Sequence, residues 1–411
     1  MPLQRGMRYP RILILAGDAD GNLGDHAIVQ STCAALRGVQ PDVEISVVSD
    51  EPERCRAHFG ALPIPRGLRG LPALARAAAR SDLVLCGGGG LFQDDDSLVK
   101  MPYWALRVAA ARLLAPRVVA YSLGVGPLEA GISRWSARLA FACMERVAVR
   151  DERAREVAQP LARRLVELVP DPALALVPAS REAARACLAA AGVMLEGRPL
   201  IGVAPRRWFP RRRRLVPSRL RVALGLWDEH EGAEGKRLVS LLAGALDRLA
   251  QNRGAHIVFL PTYRLPHEGD DRVAQAIAAE LAAPSTILRL DDAALYKAVC
   301  GELAILIAGR MHPAILAAPM GTPILALGYN PKFDGFFALL GREDQVVPES
   351  ELVRGGDPAL LVERATRAWT AGPIEPLRIA MLQQQMAAFN RELLTPFGDG
   401  GSVLPAPPIC H

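Results

Sequence analysis

Residues 303–323 of this 411-residue chain read LAILIAGRMHPAILAAPMGTP, with an arginine and a histidine two positions apart directly after an apolar run. The run reads as a buried strand ending at Gly309, and Pro313, which has no amide hydrogen to lose, suits the first turn of a helix. Arg310 and His312 are thereby expected at the carboxyl end of a strand, beside a helix N-terminus whose free amides favour an anion. A fixed cation next to an imidazole that titrates near neutrality suits proton transfer to an anionic substrate. Other cations end other apolar runs: Arg206 and Arg207 after LIGVAP, Arg150 after RVAV, and Lys332 in GYNPKFDGF. Singly, each is explained as well by a surface ion pair; together they suit a small, highly charged anion.

Two glycine-bearing segments raise further chemistry. In GDADGNLGDHAI, residues 17–28, Gly21 and Gly24 allow unusual backbone torsions, and Asp25 is placed to start a helix. The segment lacks the GxGxxG pattern, and only Asp42 and Glu44 fall near the ribose-binding place, so a dinucleotide is disfavoured. Either this is a tight turn capped by Asp25, or Asn22 and Asp25 face a ligand and the carboxylate takes a proton from a hydroxyl. The second segment, LCGGGGLFQDDDS at 85–97, sets four glycines after an apolar run and then three aspartates. Such a glycine run implies backbone close to a ligand, and the acidic end argues against a phosphate.

The elements that position these residues follow a repeated rhythm of apolar run, glycine turn and amphipathic helix, which predicts parallel α/β units. Strands are expected at 11–17, 43–49, 82–87, 117–124 and 146–151, with helices at 25–38, 71–80, 103–115 and 133–145. The proline-bearing stretch VPDPALALVPAS (169–180) interrupts the rhythm. A second series then places strands at 200–206, 255–262, 285–290, 303–309 and 322–329, with helices at 236–253, 271–282, 292–300 and 312–320. The fold class is α/β, two Rossmann-like doubly wound domains facing each other across a cleft in a GT-B-like arrangement. The expected boundaries are 1–178 and 179–375, followed by a helix at 376–394 and a disordered tail within 376–411.

Composition narrows the function. Half the residues are hydrophobic and 22% are charged, as in a globular protein. There is no apolar run long enough for a membrane span and no signal-peptide pattern, so a cytoplasmic protein is expected. The seven cysteines are scattered without CxxC, and no HExxH occurs, so reduced thiols and no dedicated metal site are expected. The net charge of +6 comes from one place: residues 206–221 hold eight arginines and no acid, and without them the chain would sit near -2 (6 - 8). This cluster is either a solvated loop or a grip on an anionic partner; a single patch is too short a stripe for nucleic acid.

Six segments, GNLGDHAI, SDLVLCGGGGLFQD, VVAYSLGVGPL, VAVRD, LIGVAPR and AGRMHPAILAAPMGTPILALGYNPKF, occur in an order and spacing that resemble the polysaccharide pyruvyl transferases. The resemblance spans about residues 11–337. It implies two Rossmann-like domains, no cofactor and no metal, and transfer of the pyruvyl group of phosphoenolpyruvate onto two hydroxyls of a sugar as a cyclic ketal. The family's Arg-x-His pair falls on Arg310 and His312 and its basic residue after a strand on Arg150; for that chemistry Arg206, Arg207 and Lys332 suit the phosphoenolpyruvate anion beside them, and His312 is the residue suited to deliver a proton to the methylene carbon. Asp25 or Asp94 serves as base for the hydroxyls. The first domain would face the acceptor, with Asn22, Gly88, Gly89, Gly90 and Gln93 against sugar hydroxyls, and Asp95 and Asp96 as helix caps or solvent-facing residues. The tetra-arginine Arg211–Arg214 lies outside the family pattern and suits an anionic lipid-linked glycan or peripheral contact with the inner face of a membrane. A homo-oligomer is compatible with all of this. Two other readings stay open: a glycosyltransferase using a nucleotide sugar, and a non-catalytic glycan or anion sensor on the same fold.

Overall fold

The computed structural model describes residues 10–95, 97–207, 232–263, 269–395 and 397. Arg211–Arg214, Asp96 and the expected C-terminal tail apart from Phe397 lie outside the described residues. The chain forms two units. Unit 1 comprises residues 10–20, 28–172 and 382 onward; unit 2 comprises 21–27 and 173–381. The division therefore falls at Pro172/Ala173, six residues before the expected one. The first turn of the first long helix belongs with unit 2, and the second half of the helix Pro376–Leu394 with unit 1.

Unit 1 holds a seven-stranded sheet whose strands are β1 (Arg11–Leu15), β2 (Glu44–Val48), β3 (Leu62–Ile64), β4 (Leu83–Phe92), β5 (Val118–Val125), β6 (Arg146–Val149) and β7 (Val166–Leu168). Their order is β3-β2-β1-β4-β5-β6-β7, every pair parallel. Unit 2 repeats the plan with six strands: β8 (Leu200–Ala204), β9 (His256–Phe259), β10 (Ser285–Ile287), β11 (Ile305–Ala308), β12 (Ile324–Gly328) and β13 (Val346–Pro348). Their order is β10-β9-β8-β11-β12-β13, again all parallel. Helices cover both faces of such sheets, so the central strands are apolar throughout: LIGVA of β8 and ILIA of β11 are entirely buried. Each unit has its own core, around Phe92, Trp104 and Phe141 in unit 1 and Leu246, Phe259 and Ile307 in unit 2.

Chain order reverses beside the first strand of each sheet, and ligands of doubly wound sheets bind at that switch point. In unit 2 this is the gap between the carboxyl ends of β8 and β11, from which Arg206 and Arg310 emerge.

The glycine run departs from expectation. Gly87–Gly90 are not a loop after a strand but part of β4, which continues to Phe92, and the register with β5 shifts between Gly89 and Phe92. A Cβ on Gly87 would lie 1.9 Å from the carbonyl oxygen of Tyr121, and one on Gly88 would lie 2.1 Å from Cγ2 of Ile28. Gly88 also has φ +73°. The absent side chains admit a neighbouring strand and helix, so packing within unit 1 explains Gly87 and Gly88 without a sugar. Gly88→Ala is expected to lower stability by about 2–4 kcal/mol in urea unfolding, from overpacking plus backbone strain. In an Ile28→Ala background only the strain, about 1–2 kcal/mol, should remain; an unchanged midpoint for the single variant would refute this reading.

Candidate active site

Unit 2 gathers the site around one buried ion pair. Arg310 follows β11 as the extended residue before the helix Met311–Ala317. Its Nη2 donates to Oδ1 of Asp270 at 2.6 Å, and its Nε lies 3.2 Å from both carboxylate oxygens. Asp270 is wholly buried at the start of the helix Asp270–Glu280. Its Oδ2 also accepts from the amides of Thr262 and Tyr263 and from the Thr262 hydroxyl, at 3.2–3.3 Å. A carboxylate taken out of water needs such partners, and the guanidinium that supplies two of them is locked in orientation. The Arg310 guanidinium also stacks over the Tyr263 ring, 4.3 Å from its centroid.

The segment after β9 that carries Thr262 and Tyr263 also receives the first glycine turn. Leu23 N donates to Thr262 O at 3.1 Å, Asn22 forms an isolated antiparallel bridge with Tyr263, and Asn22 Nδ2 donates to the Tyr263 hydroxyl at 3.3 Å. Asn22, not Asp25, caps the helix Leu23–Val39: its Oδ1 accepts from Gly24 N at 3.0 Å. Asp25 stands one residue further into that first turn, partly exposed. Asn22 thus belongs with unit 2 and is held to Tyr263. Gly24 lies against His312; a Cβ there would sit 2.1 Å from the imidazole Nδ1. The glycine in GNLGD is required by the histidine in GRMH.

A second cluster surrounds Tyr329, which follows β12. Arg206 stacks on its ring, 3.6 Å from the centroid, and Lys332 Nζ lies 4.7 Å from it. Burial pushes the Tyr329 phenol up, but Lys332, Arg206 and Arg310 together outweigh it and the net shift is downward. Arg206 also reaches Glu349, Nη1 to Oε2 at 3.4 Å. Glu349 is only 2% exposed, and burial pushes its carboxyl up to about 7 against the pull of Arg206 and Arg310. Arg207 is buried and packs beside Gly269, next to Asp270. Four cations therefore share this end of the unit 2 sheet with two carboxylates, one of them half-neutral near pH 7, an arrangement that can hold a multiply charged anion next to an imidazole.

Other expected residues have different surroundings. Arg150 is in unit 1, buried, with Nε 3.2 Å from Asp151 and Nη1 3.7 Å from Asp171. Gly124 makes room for it, since a Cβ there would lie 2.9 Å from its Cζ. The Asp94 carboxylate is 0% exposed and accepts from the amides of Glu129 and Ala130 at 2.9–3.2 Å, just before the helix Gly131–Ala142. With both oxygens bound to backbone, Asp94 clamps a loop and is not placed as a general base. A Cβ on Gly90 would lie 2.8 Å from Oε1 of Gln93, so the Gln93 side chain folds back over the strand end. Asp270, Tyr263, Tyr329 and Glu349 were not expected. Asp270 reads in sequence as an ordinary helix-start acid, and Glu349 follows a three-residue edge strand too short to show periodicity.

The family model for polysaccharide pyruvyl transferases matches residues 22–331, three quarters of the chain. The chain belongs to the polysaccharide pyruvyl transferase family. It is a transferase by that membership, and the matched span includes the Asn22 turn, Arg206, Arg310, His312 and Tyr329. No curated protein matches the chain. Among solved structures it is similar to UDP-GlcNAc 2-epimerase from Neisseria meningitidis bound to UDP-GlcNAc, with a TM-score of 0.56 and 10% identity over 94% of this chain and 99% of that one. A putative UDP-N-acetylglucosamine 2-epimerase from Listeria monocytogenes gives 0.54 and 14% over 96% and 93%. ADP-heptose LPS heptosyltransferase II from E. coli gives 0.50 and 15% over 88% and 99%. At these identities the likeness shows the GT-B fold alone. None of the described helices is long and apolar enough to cross a membrane.

The Glu349 carboxyl makes a stability prediction. Its folded value of about 7 exceeds the ordinary 4.5, so folding favours the protonated form. That advantage is complete below the ordinary value and is lost as pH rises through 7. Relative to Glu349→Gln, the wild type should lose on the order of 3 kcal/mol between pH 4.5 and 8, read as urea midpoints against pH. A pH-independent difference between the two would sink the assignment.

Proposed function

We propose that the unit 2 cluster binds phosphoenolpyruvate and that the chain transfers its pyruvyl group, as a cyclic ketal, onto two hydroxyls of a sugar in a glycan precursor. The observation that carries this is the convergence of Arg206, Arg310 and Lys332 on the Tyr329–Tyr263 corner of the switch point. Phosphoenolpyruvate needs a fixed donor set for both its phosphate and its carboxylate, and Arg310, held by Asp270, offers one planar fork. Arg207 adds charge beside it. Protonated Glu349 leaves the Arg206 charge to the ligand.

The steps balance without a redox partner. His312 gives a proton to the methylene carbon, C2 becomes electrophilic, and the first sugar hydroxyl adds there. Phosphate departs, the second hydroxyl closes the ring on C2, and of the two hydroxyl protons one replaces that on His312 and the other leaves with phosphate. Asp25 is the carboxylate proposed to take the proton that leaves with phosphate from its hydroxyl and pass it on, ending the cycle ionised as it began. Gly24 holds the imidazole by backbone contact. Arg150, paired with two carboxylates of its own unit, is not assigned to the donor, and the acceptor is proposed to be a neutral sugar or lipid-linked glycan.

A nucleotide-sugar reaction is the competing reading, since structures of the same fold hold UDP-sugar. The sensor reading predicts binding without turnover. Purified protein with phosphoenolpyruvate and a panel of hexose and N-acetylhexosamine acceptors should release phosphate. His312→Asn should slow release by about a hundredfold or more. Gly24→Ala, by displacing the ring, should slow it at least about tenfold with the fold intact. A melting-temperature rise with UDP and none with phosphoenolpyruvate, or full turnover by His312→Asn, would overturn the proposal.

A further inference from the structure

Three helices of unit 1, Gly67–Arg80, Lys100–Leu114 and Gly131–Ala142, lie on one face of the sheet, each packed on the next. Their inner sides join one core through residues such as Ala78, Trp104, Val108 and Phe141. Their outer sides break the usual pattern, in which a solvated helix face carries charges of both signs. The three helices contain eight Lys or Arg and no Asp or Glu. Of the sixteen exposed large apolar side chains among the described residues, ten lie on these helices or at Val99 just before the second.

Helical spacing makes these residues continuous stripes. Tyr103, Leu106 and Leu113 follow one another along the outer side of the second helix, the last two 71% and 86% exposed; Ile132, Trp135 and Leu139 do so along the third, with Trp135 59% exposed. Arg107 flanks the first stripe and stacks over Tyr103 and Trp104, 5.4 and 5.2 Å from their centroids. Arg134 and Arg138 flank the second and are exposed. An apolar patch of this extent marks an interaction surface. A second copy docked by two-fold symmetry would set this acid-free cationic face against itself, which charge opposes. Leucines with an aromatic belt, ringed by arginines whose stems can lie along apolar surface, are complementary to a lipid headgroup region carrying negative charge.

We propose that this three-helix face docks unit 1 on the surface of an anionic lipid bilayer. Trp135, Leu106 and Leu113 enter the headgroup boundary, and the arginines meet lipid phosphates. The proposal uses unit 1 residues alone and stands whether or not phosphoenolpyruvate is the donor. It places the lipid contact on described helices, whereas the sequence directed attention to Arg211–Arg214.

Flotation of the full chain with vesicles tests it. The protein should float with mixed phosphatidylcholine and phosphatidylglycerol vesicles and far less with phosphatidylcholine alone, with added salt weakening the binding. L106S/L113S/W135S and, separately, R134E/R138E should each weaken binding at least about tenfold. Both keep the wild-type melting temperature, because the altered side chains are exposed. The proposal is overturned if the wild type fails to bind anionic vesicles, or if both variants bind them undiminished. It is likewise overturned if sedimentation shows a wild-type dimer that L106S/L113S/W135S converts to monomer, which would make a second copy the occupant.

Discussion

A buried carboxylate that must be satisfied organises the candidate site. Asp270 is out of water, and leaving any of its acceptor positions without a donor would cost a few kcal/mol. The donors come from the segment after β9 and from the second residue after β11, so the ion pair ties together the carboxyl ends of two strands that are not neighbours in the sheet. Arg310 gains a fixed orientation as a result. The same segment presents Tyr263 to Asn22, which brings the glycine turn and hence Gly24 to the His312 ring. One ion pair thus sets the place of a cation, and through the segment that carries its partners the place of an imidazole.

Around it, charge is distributed unevenly. Arg206 lies between an aromatic face and a carboxyl that burial pushes up to about 7, and Lys332 shares the same ring. If Glu349 were an ordinary surface acid, Arg206 would be neutralised across the whole physiological range. Its burial instead leaves surplus positive charge where chain order reverses, which is where a doubly wound sheet presents ligands. Tyr329, depressed by three cations, reports the same surplus.

Much of the architecture was legible because central parallel strands are buried on both faces and read as unbroken apolar runs. The strands β1, β8 and β11 could hardly have been missed. The three-residue edge strands β3, β7 and β13 escaped because a run that short carries no period, whereas the equally short β10 lies within the longer apolar-rich stretch STILRL. Arg310 and His312 were visible as unusual residues at a strand end; Asp270, forty residues earlier in the chain, was not, since only the fold pairs it with Arg310. The glycine run misled for a related reason. Glycine marks a close approach, but sequence does not say whether what approaches is a ligand or, as at Gly87 and Gly88, the protein itself. Asp94 likewise showed its acidity in the sequence but not the two amides that occupy it.

Calorimetric titration of phosphoenolpyruvate into the wild type and into Asp270→Asn tests the central claim most directly. Removing a negative charge beside Arg310 would tighten anion binding if net charge alone governed the site. If Asp270 acts by holding the guanidinium in place, the variant should instead bind at least about tenfold more weakly while remaining folded, a loss of about 1.4 kcal/mol or more. Tighter or unchanged binding by Asp270→Asn, or no binding by the wild type, would contradict the account.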